Sequence, residues 1–182
     1  MTRGRLPIET PSLLLRHFAL GDAPAALFLS NEAASRTWLP SQVYRDHEHA
    51  LSALAFLIRH YPTPGNPQHG PYVLAVEHRA SGALIGHVGF SPLEDEVEIG
   101  FSIAQDYQRR GLATEAIIAA SRWAFEAFAL DQIVAVTPAA NTASKRTLAR
   151  AGFVFKEDKS MNFQGVVQDV SVYVLSCLRR NR

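Results

Sequence analysis

Hydrophobic and polar positions follow two different periods along the chain, and the changes of period divide it into elements. Val97, Ile99, Phe101 and Ile103 alternate with Glu98, Gly100 and Ser102, the period of a strand with one buried face. Val170, Val172 and Val174 alternate in the same way with Asp169, Ser171 and Tyr173, predicting a strand over residues 167–176. Apolar runs at 72–78 and 83–91 flank Arg79-Ala80-Ser81-Gly82 and predict a β-hairpin. Shorter runs at 12–18, 133–137 and 153–156 complete the predicted strands. Leu51, Leu54, Ala55 and Ile58 recur at spacings of three and four, predicting a helix over 46–60. The cluster Pro62, Pro64, Gly65, Pro67, Gly70 and Pro71 ends that helix and forms the main loop.

Three more helices are expected. Asp22 is read as the N-cap of one reaching about Ala33. A second runs from Gly111 to about Phe128. Ala113, Ile117, Ala120, Ala124 and Phe128 share one of its faces, opposite Glu115, Arg122 and Glu126. Asn141 or Thr142 caps a third that reaches Ala151, with Gly152 just past its end. The order β-α-α-β-β-β-α-β-α-β-β predicts a mixed α/β fold. It reads as one domain over residues 1–182, its core at about 9–176.

Composition narrows the function classes. Of 182 residues, 47% are hydrophobic and 19% charged, which supplies a core and excludes a disordered chain. Lys plus Arg number 18 against 17 Asp plus Glu, so the net charge of +1 disfavours a nucleic-acid partner. Arg179, Arg180 and Arg182 form a basic cluster that reads as a solvated terminus. No apolar stretch reaches the length of a membrane span, and the first residues lack the apolar run of a signal peptide. The single cysteine, Cys177, excludes an intrachain disulfide. A soluble, cytoplasmic domain is expected. Seven histidines invite a metal, but no HExxH is present, and His47 and His49 are too close in sequence to share a helix face. No metal site is expected. His87 is read either as facing a cleft or as a hydrogen-bonded core residue.

The join between the 97–103 strand and the Gly111 helix carries the strongest local chemistry. A strand, a glycine turn and a helix start leave backbone N–H groups pointing outward, and the helix dipole adds positive potential there. That is an anion site suited to a pyrophosphate. Gly111 lets a phosphate approach the backbone closely, and Arg109 and Arg110 add charge at the rim. The chain has no GxxxxGK[ST], and Gly82, Gly86 and Gly89 do not make GxGxxG, so the commonest nucleotide motifs are absent.

The wider pattern gives this turn a context. Glu98-Ile99-Gly100-Phe101 precedes Gln108-Arg109-Arg110-Gly111-Leu112-Ala113. Asn141-Thr142-Ala143-Ser144, Leu148 and Ala151-Gly152-Phe153 follow. This ordered set resembles the GNAT superfamily of N-acetyltransferases, whose acetyl-CoA signature is Q/R-x-x-G-x-G/A. The opening segment, residues 9–27, resembles the ribosomal-protein N-terminal acetyltransferase (RimJ/RimL-like) branch.

The resemblance implies a mostly antiparallel, twisted sheet of about seven strands, with helices on both faces. A central strand pair splays to admit acetyl-CoA. The backbone at Ser102 and Ile103 pairs with the pantetheine arm, and one amide there stabilises the developing oxyanion. Gln108 opens the motif, and the amides of Arg110, Gly111, Leu112, Ala113 and Thr114 cradle the pyrophosphate. The implied reaction is direct attack by a primary amine, either a protein N-terminus or a small molecule. A homodimer is common among such proteins.

Glu98, on the polar face of its strand, is the first candidate base; its other reading is a structural ion pair or a solvated face. Glu96 is a weaker choice. Asn141 either contacts the cofactor or serves as an N-cap. Ser144 either hydrogen-bonds the departing thiolate or caps its helix. Some relatives place a tyrosine where this chain has Leu148. Trp38 either touches the acceptor or anchors the core. An inactive acyl-CoA-binding module is the alternative to an enzyme.

Overall fold

The computed structural model describes residues 6–61 and 67–177. Part of the proline-rich loop (62–66) and the Arg179, Arg180 and Arg182 cluster lie outside these residues. Eight strands form one sheet: β1 (Ile8–Glu9), β2 (Leu13–Arg16), β3 (Tyr72–His78), β4 (Ala83–Leu93), β5 (Glu96–Ile103), β6 (Gln132–Pro138), β7 (Val154–Phe163) and β8 (Val166–Ser176). Their order across the sheet is β1-β2-β3-β4-β5-β6-β8-β7. All neighbours are antiparallel except β5 and β6, which run parallel.

The expected count of about seven strands is thus corrected to eight. The addition is β1, two residues that pair with β2. Its local pattern is too short to carry a period. β7 also runs to Phe163, well past the expected end at residue 156. Its sequence VFKEDKSMNF hides it because an edge strand with most side chains exposed has no apolar face to alternate. The ladder to β8 holds it instead, closed by Gln164 and Gly165 at φ of 56° and 83°. Two left-handed residues are what a two-residue hairpin turn requires.

The helices are α1 (Ala23–Ser30), α2 (Ala33–Trp38), α3 (His47–His60), α4 (Leu112–Ala127) and α5 (Thr142–Arg150). The helix expected from Asp22 to Ala33 ends at Ser30, and an unexpected helix, α2, begins at Ala33. The Ser30 hydroxyl and the Asn31 amide both donate to the Leu27 carbonyl, and Asn31 also donates to the Tyr44 carbonyl at 2.9 Å. These side chains compete with the helix for its own acceptors. Asp22 occupies the N-cap position of α1, but its side chain makes no capping hydrogen bond there. It accepts from the Ala19 N–H at 2.8 Å and pairs with Arg16, which also reaches Glu77 at 2.7 Å.

The sheet separates two apolar layers. Tyr72, Leu74 and Val76 of β3 face Ile117, Ala120 and Ala124 of α4 within one cluster. Val73 and Ala75, the alternate residues, pack with Ala26 of α1 and Leu54 of α3 in another. The period of two in β3 therefore puts one helical layer on each face. Glu115 on α4 accepts from the Ser12 N–H at 2.8 Å, tying that helix to the start of β2.

Two glycines let β4 pack closely against its neighbours. A methyl group on Gly89 would approach Val73 Cγ2 to 2.8 Å. One on Gly86, at φ 159°, would meet the Ser102 carbonyl oxygen at 2.0 Å. Gly86→Ala is therefore expected to force β4 from β5 and to destabilise the chain by about 3 kcal/mol or more. Urea unfolding measures this, and a loss within about 0.5 kcal/mol would contradict the close approach.

Candidate active site

β5 and β6 are bridged at one register position among the described residues, Glu98 opposite Val134. Beyond it β5 continues to Ile103 paired to β4 alone. The two strands splay toward their C-terminal ends. Because they run parallel, both ends lie at the same edge of the sheet, and α4 and α5 follow from that edge. The two helices pack against each other.

The start of α4 fits an anion by construction. Gly111 occupies the N-cap position at φ 79°, a left-handed conformation that glycine adopts without strain. No side chain caps this end, so first-turn amides at Leu112, Ala113 and Thr114 have no side-chain partner there. Nothing lies within 4 Å of where a Gly111 Cβ would stand. Arg109, exposed, also has a positive φ of 62°. Arg110 donates to the Asp106 carbonyl at 2.7 Å and lies over the Tyr107 ring, 5.3 Å from its centroid. Gln108 donates through Nε2 to the Ile103 carbonyl at 2.9 Å, fastening the turn to the end of β5. That carbonyl is therefore occupied from within the chain, and the Ser102 carbonyl, one residue earlier, faces Gly86 of β4.

Asn141 caps α5, its Oδ1 accepting from the Ser144 N–H at 3.1 Å. The Ser144 hydroxyl has no hydrogen-bond partner among the described residues. Leu148 is 1% exposed and part of the core.

Glu98 stands where the splay begins. Burial pushes its carboxyl up to about 7, and the Val136 backbone N–H that it accepts opposes part of that rise. A carboxyl poised there exchanges a proton near neutral pH. Glu96 is tied to Gln132 at 2.6 Å.

Glu98, Gly100 and Ser102 share a face with their β4 partners Ser91, Gly89 and His87. Small and polar groups thus form a floor, and α1, α3 and the segment joining α2 to α3 rise over it. They enclose a cavity of 430 Å³ lined by His87, Gly89, Ser91, Gly100 and Ser102 below. Leu29, Leu39, Tyr44 and Leu57 are among the residues above. Glu98 does not line the cavity itself; its neighbours Ser91 and Gly100 do. At the tip of the β7–β8 hairpin, Gln164 reaches Ser41 by a hydrogen bond.

His87 therefore lies on the cavity floor rather than as a hydrogen-bonded core residue. Its imidazole has no hydrogen-bond partner among the described residues. Trp38 is half-buried, belongs to neither core nor cavity, and leaves the wall position to Leu39. The cavity was not foreseen from the sequence. One signal was available: Gly and Ser on the polar faces of both 83–91 and 97–103 leave a floor bare of bulky side chains.

The pattern of the acetyltransferase (GNAT) domain family matches residues 12–154. The chain belongs to this family. A relative named uncharacterized N-acetyltransferase YoaA, from Bacillus subtilis (strain 168), is 30% identical over 175 residues, covering 91% of this chain and 94% of that protein. Among solved structures, the ribosomal-protein-S5-alanine acetyltransferase from Vibrio fischeri superposes with a TM-score of 0.77 at 19% identity, covering 98% of this chain and 100% of that one. RimL, a ribosomal alpha-N-protein acetyltransferase in complex with coenzyme A, gives 0.77 at 18% identity, covering 94% and 97%. These two share the GNAT fold with this chain, an acetyltransferase. No helix among the described residues is long and apolar enough to cross a membrane.

The Glu98 carboxyl has a testable thermodynamic signature. Its folded-state value of about 7 exceeds the ordinary 4.5, so the folded chain holds that proton more tightly than the unfolded chain. Its stabilising contribution is present below the ordinary value and is lost as pH rises to the folded one. Glu98→Gln is expected to remove a fall in stability of about 1–3 kcal/mol across that window. Denaturant unfolding of both proteins at pH 4.5 and pH 8 measures it, and identical pH profiles would refute the shift.

Proposed function

We propose that this acetyltransferase moves the acetyl group of acetyl-CoA to a primary amine by direct attack, with both substrates bound together. The observation that carries the reading is the splay of β5 from β6, beginning at Glu98 and opening beside the uncapped start of α4. When bound, acetyl-CoA supplies the activated acyl group. Every other contribution comes from the chain.

In this reading the amides of Gly111, Leu112, Ala113 and Thr114 hold the pyrophosphate, aided by the helix dipole. Arg109 and Arg110 add positive charge at the solvent-facing rim. The Ile103 N–H, at the splayed end of β5, pairs with the pantetheine arm as an added strand would. Glu98 accepts the proton of the incoming ammonium, which frees the lone pair that attacks. Its raised carboxyl suits that exchange, since a base works best when poised near the working pH. Ser144 donates a hydrogen bond to the departing sulfur through a hydroxyl that the fold leaves unpartnered. Asn141 orients Ser144 through the cap and keeps its Nδ2 for the cofactor.

Acetyl-CoA at about 100 times its Kd is expected to raise the unfolding midpoint by about 5–10 °C. Gly111→Asn keeps a residue that tolerates the left-handed backbone but fills the approach. It is expected to weaken acetyl-CoA binding at least about tenfold. An unchanged midpoint at millimolar acetyl-CoA sinks the cofactor assignment, and an unchanged affinity in the variant sinks the cradle.

With an accepted amine, kcat/KM is expected to rise with pH through about 7 as Glu98 loses its proton. Glu98→Gln removes that limb and lowers the rate about 10²–10⁴-fold. A wild-type profile in the variant would exclude Glu98 as the base. Release of coenzyme A with an amine also separates an enzyme from a module that only binds.

A further inference from the structure

We infer that the cavity under α1 and α3 receives a small primary amine that carries one positive charge and an apolar body. This rests on the transfer reading above and names its acceptor class. The upper wall includes Leu29, Leu39, Phe56 and Leu57, and the sheet adds Val73 and Leu84. Among the described residues that line the cavity there is no Asp, Glu, Lys or Arg. The volume of 430 Å³ falls in the range, about 300–1,000 Å³, that encloses most of a small molecule.

Polar groups line both ends. On the helical side the serines are already used within the chain, while Gln42, Tyr44 and His49 also line the cavity. The Ser35 hydroxyl donates to the Leu29 carbonyl at 2.9 Å, and the Ser30 hydroxyl donates to the Leu27 carbonyl at 3.0 Å. Ser30 Oγ also accepts from the Tyr44 N–H at 3.1 Å, and Ser41 is held by Gln164. On the floor, His87, Ser91 and Ser102 remain, in the same row as Glu98. Burial holds the His87 imidazole down at about 4, so it is a neutral hydrogen-bonding group at pH 7.

The occupant therefore places its amine against the floor and its apolar part under the helices. A polyamine or an aminoglycoside would bury further ammonium groups with no carboxylate to meet them, which is costly. A peptide N-terminus would bring a row of backbone amides to a helical side lined mostly by Leu29, Leu39, Phe56 and Leu57, where Gln42, Tyr44 and His49 are too few to pair them all.

The test measures coenzyme A release by the full chain with 2-phenylethylamine, ethylamine, spermidine and an alanine-starting octapeptide. Calorimetry of 2-phenylethylamine binding is run alongside, with and without coenzyme A. The kcat/KM for 2-phenylethylamine is expected to exceed each of the others by at least about tenfold, the worth of burying a phenyl group. Ala53→Phe, which adds a ring to the wall from a half-buried helix position, is expected to erase that advantage over ethylamine. Preference for spermidine or the peptide overturns the inference, as does an advantage that survives Ala53→Phe in a variant with a wild-type unfolding midpoint. If acetyl-CoA binds but 2-phenylethylamine neither binds nor is acetylated, the inference falls and the transfer reading stands. If 2-phenylethylamine binds and acetyl-CoA does not, the transfer reading falls and the cavity assignment stands.

Discussion

The parallel alignment of β5 and β6 is the constraint on which the remaining architecture turns. Parallel neighbours cannot be joined by a hairpin, so the chain must leave the sheet at the end of β5 and return through α4. That crossover brings the C-terminal ends of both strands to one edge and starts α4 and α5 there. The same pair is bridged at a single described position, so the sheet opens where the two helices begin. An ordinary antiparallel ladder at this place would have consumed the free backbone of β5 and hidden Glu98.

Desolvation then acts in opposite directions on two titratable groups of one sheet face. It pushes the Glu98 carboxyl up and the His87 imidazole down, because in each case burial disfavours the ionised form. In the mildly acidic range between the two values both groups are neutral. Above it the row from His87 to Glu98 carries one negative charge, at the end beside the splay. The electrostatics of the floor thus reduce to the protonation of a single carboxyl.

Much of this was legible in the sequence wherever the signal was local. The alternation through residues 97–103 put Glu98, Gly100 and Ser102 on one face. The 3.6-residue period and Gly111 located α4. Asn141 announced its cap, and the order of Gln108, Gly111, Asn141 and Ser144 pointed to the GNAT family. What escaped depended on distant parts of the chain. The cavity is assembled from α1, the α2–α3 segment, α3, β3, β4 and β5, and no window of sequence contains its shape. The break between α1 and α2 needed Tyr44 as a partner for Asn31. β7 was underestimated because an exposed edge strand owes its existence to its neighbour rather than to its own apolar pattern.

The glycines of β4 imply a division in how freely different parts of such a protein diverge. Gly86 and Gly89 press the floor against the backbones of β5 and β3, so neither position accepts even a methyl group without moving a strand. The helical side of the cavity is not bound in this way, because its contacts run through side chains that repack. Mutation can remodel the roof while the floor stays as it is. A lineage built on this sheet can therefore acquire new acceptors by drift in α1 to α3, with the transfer machinery inherited intact.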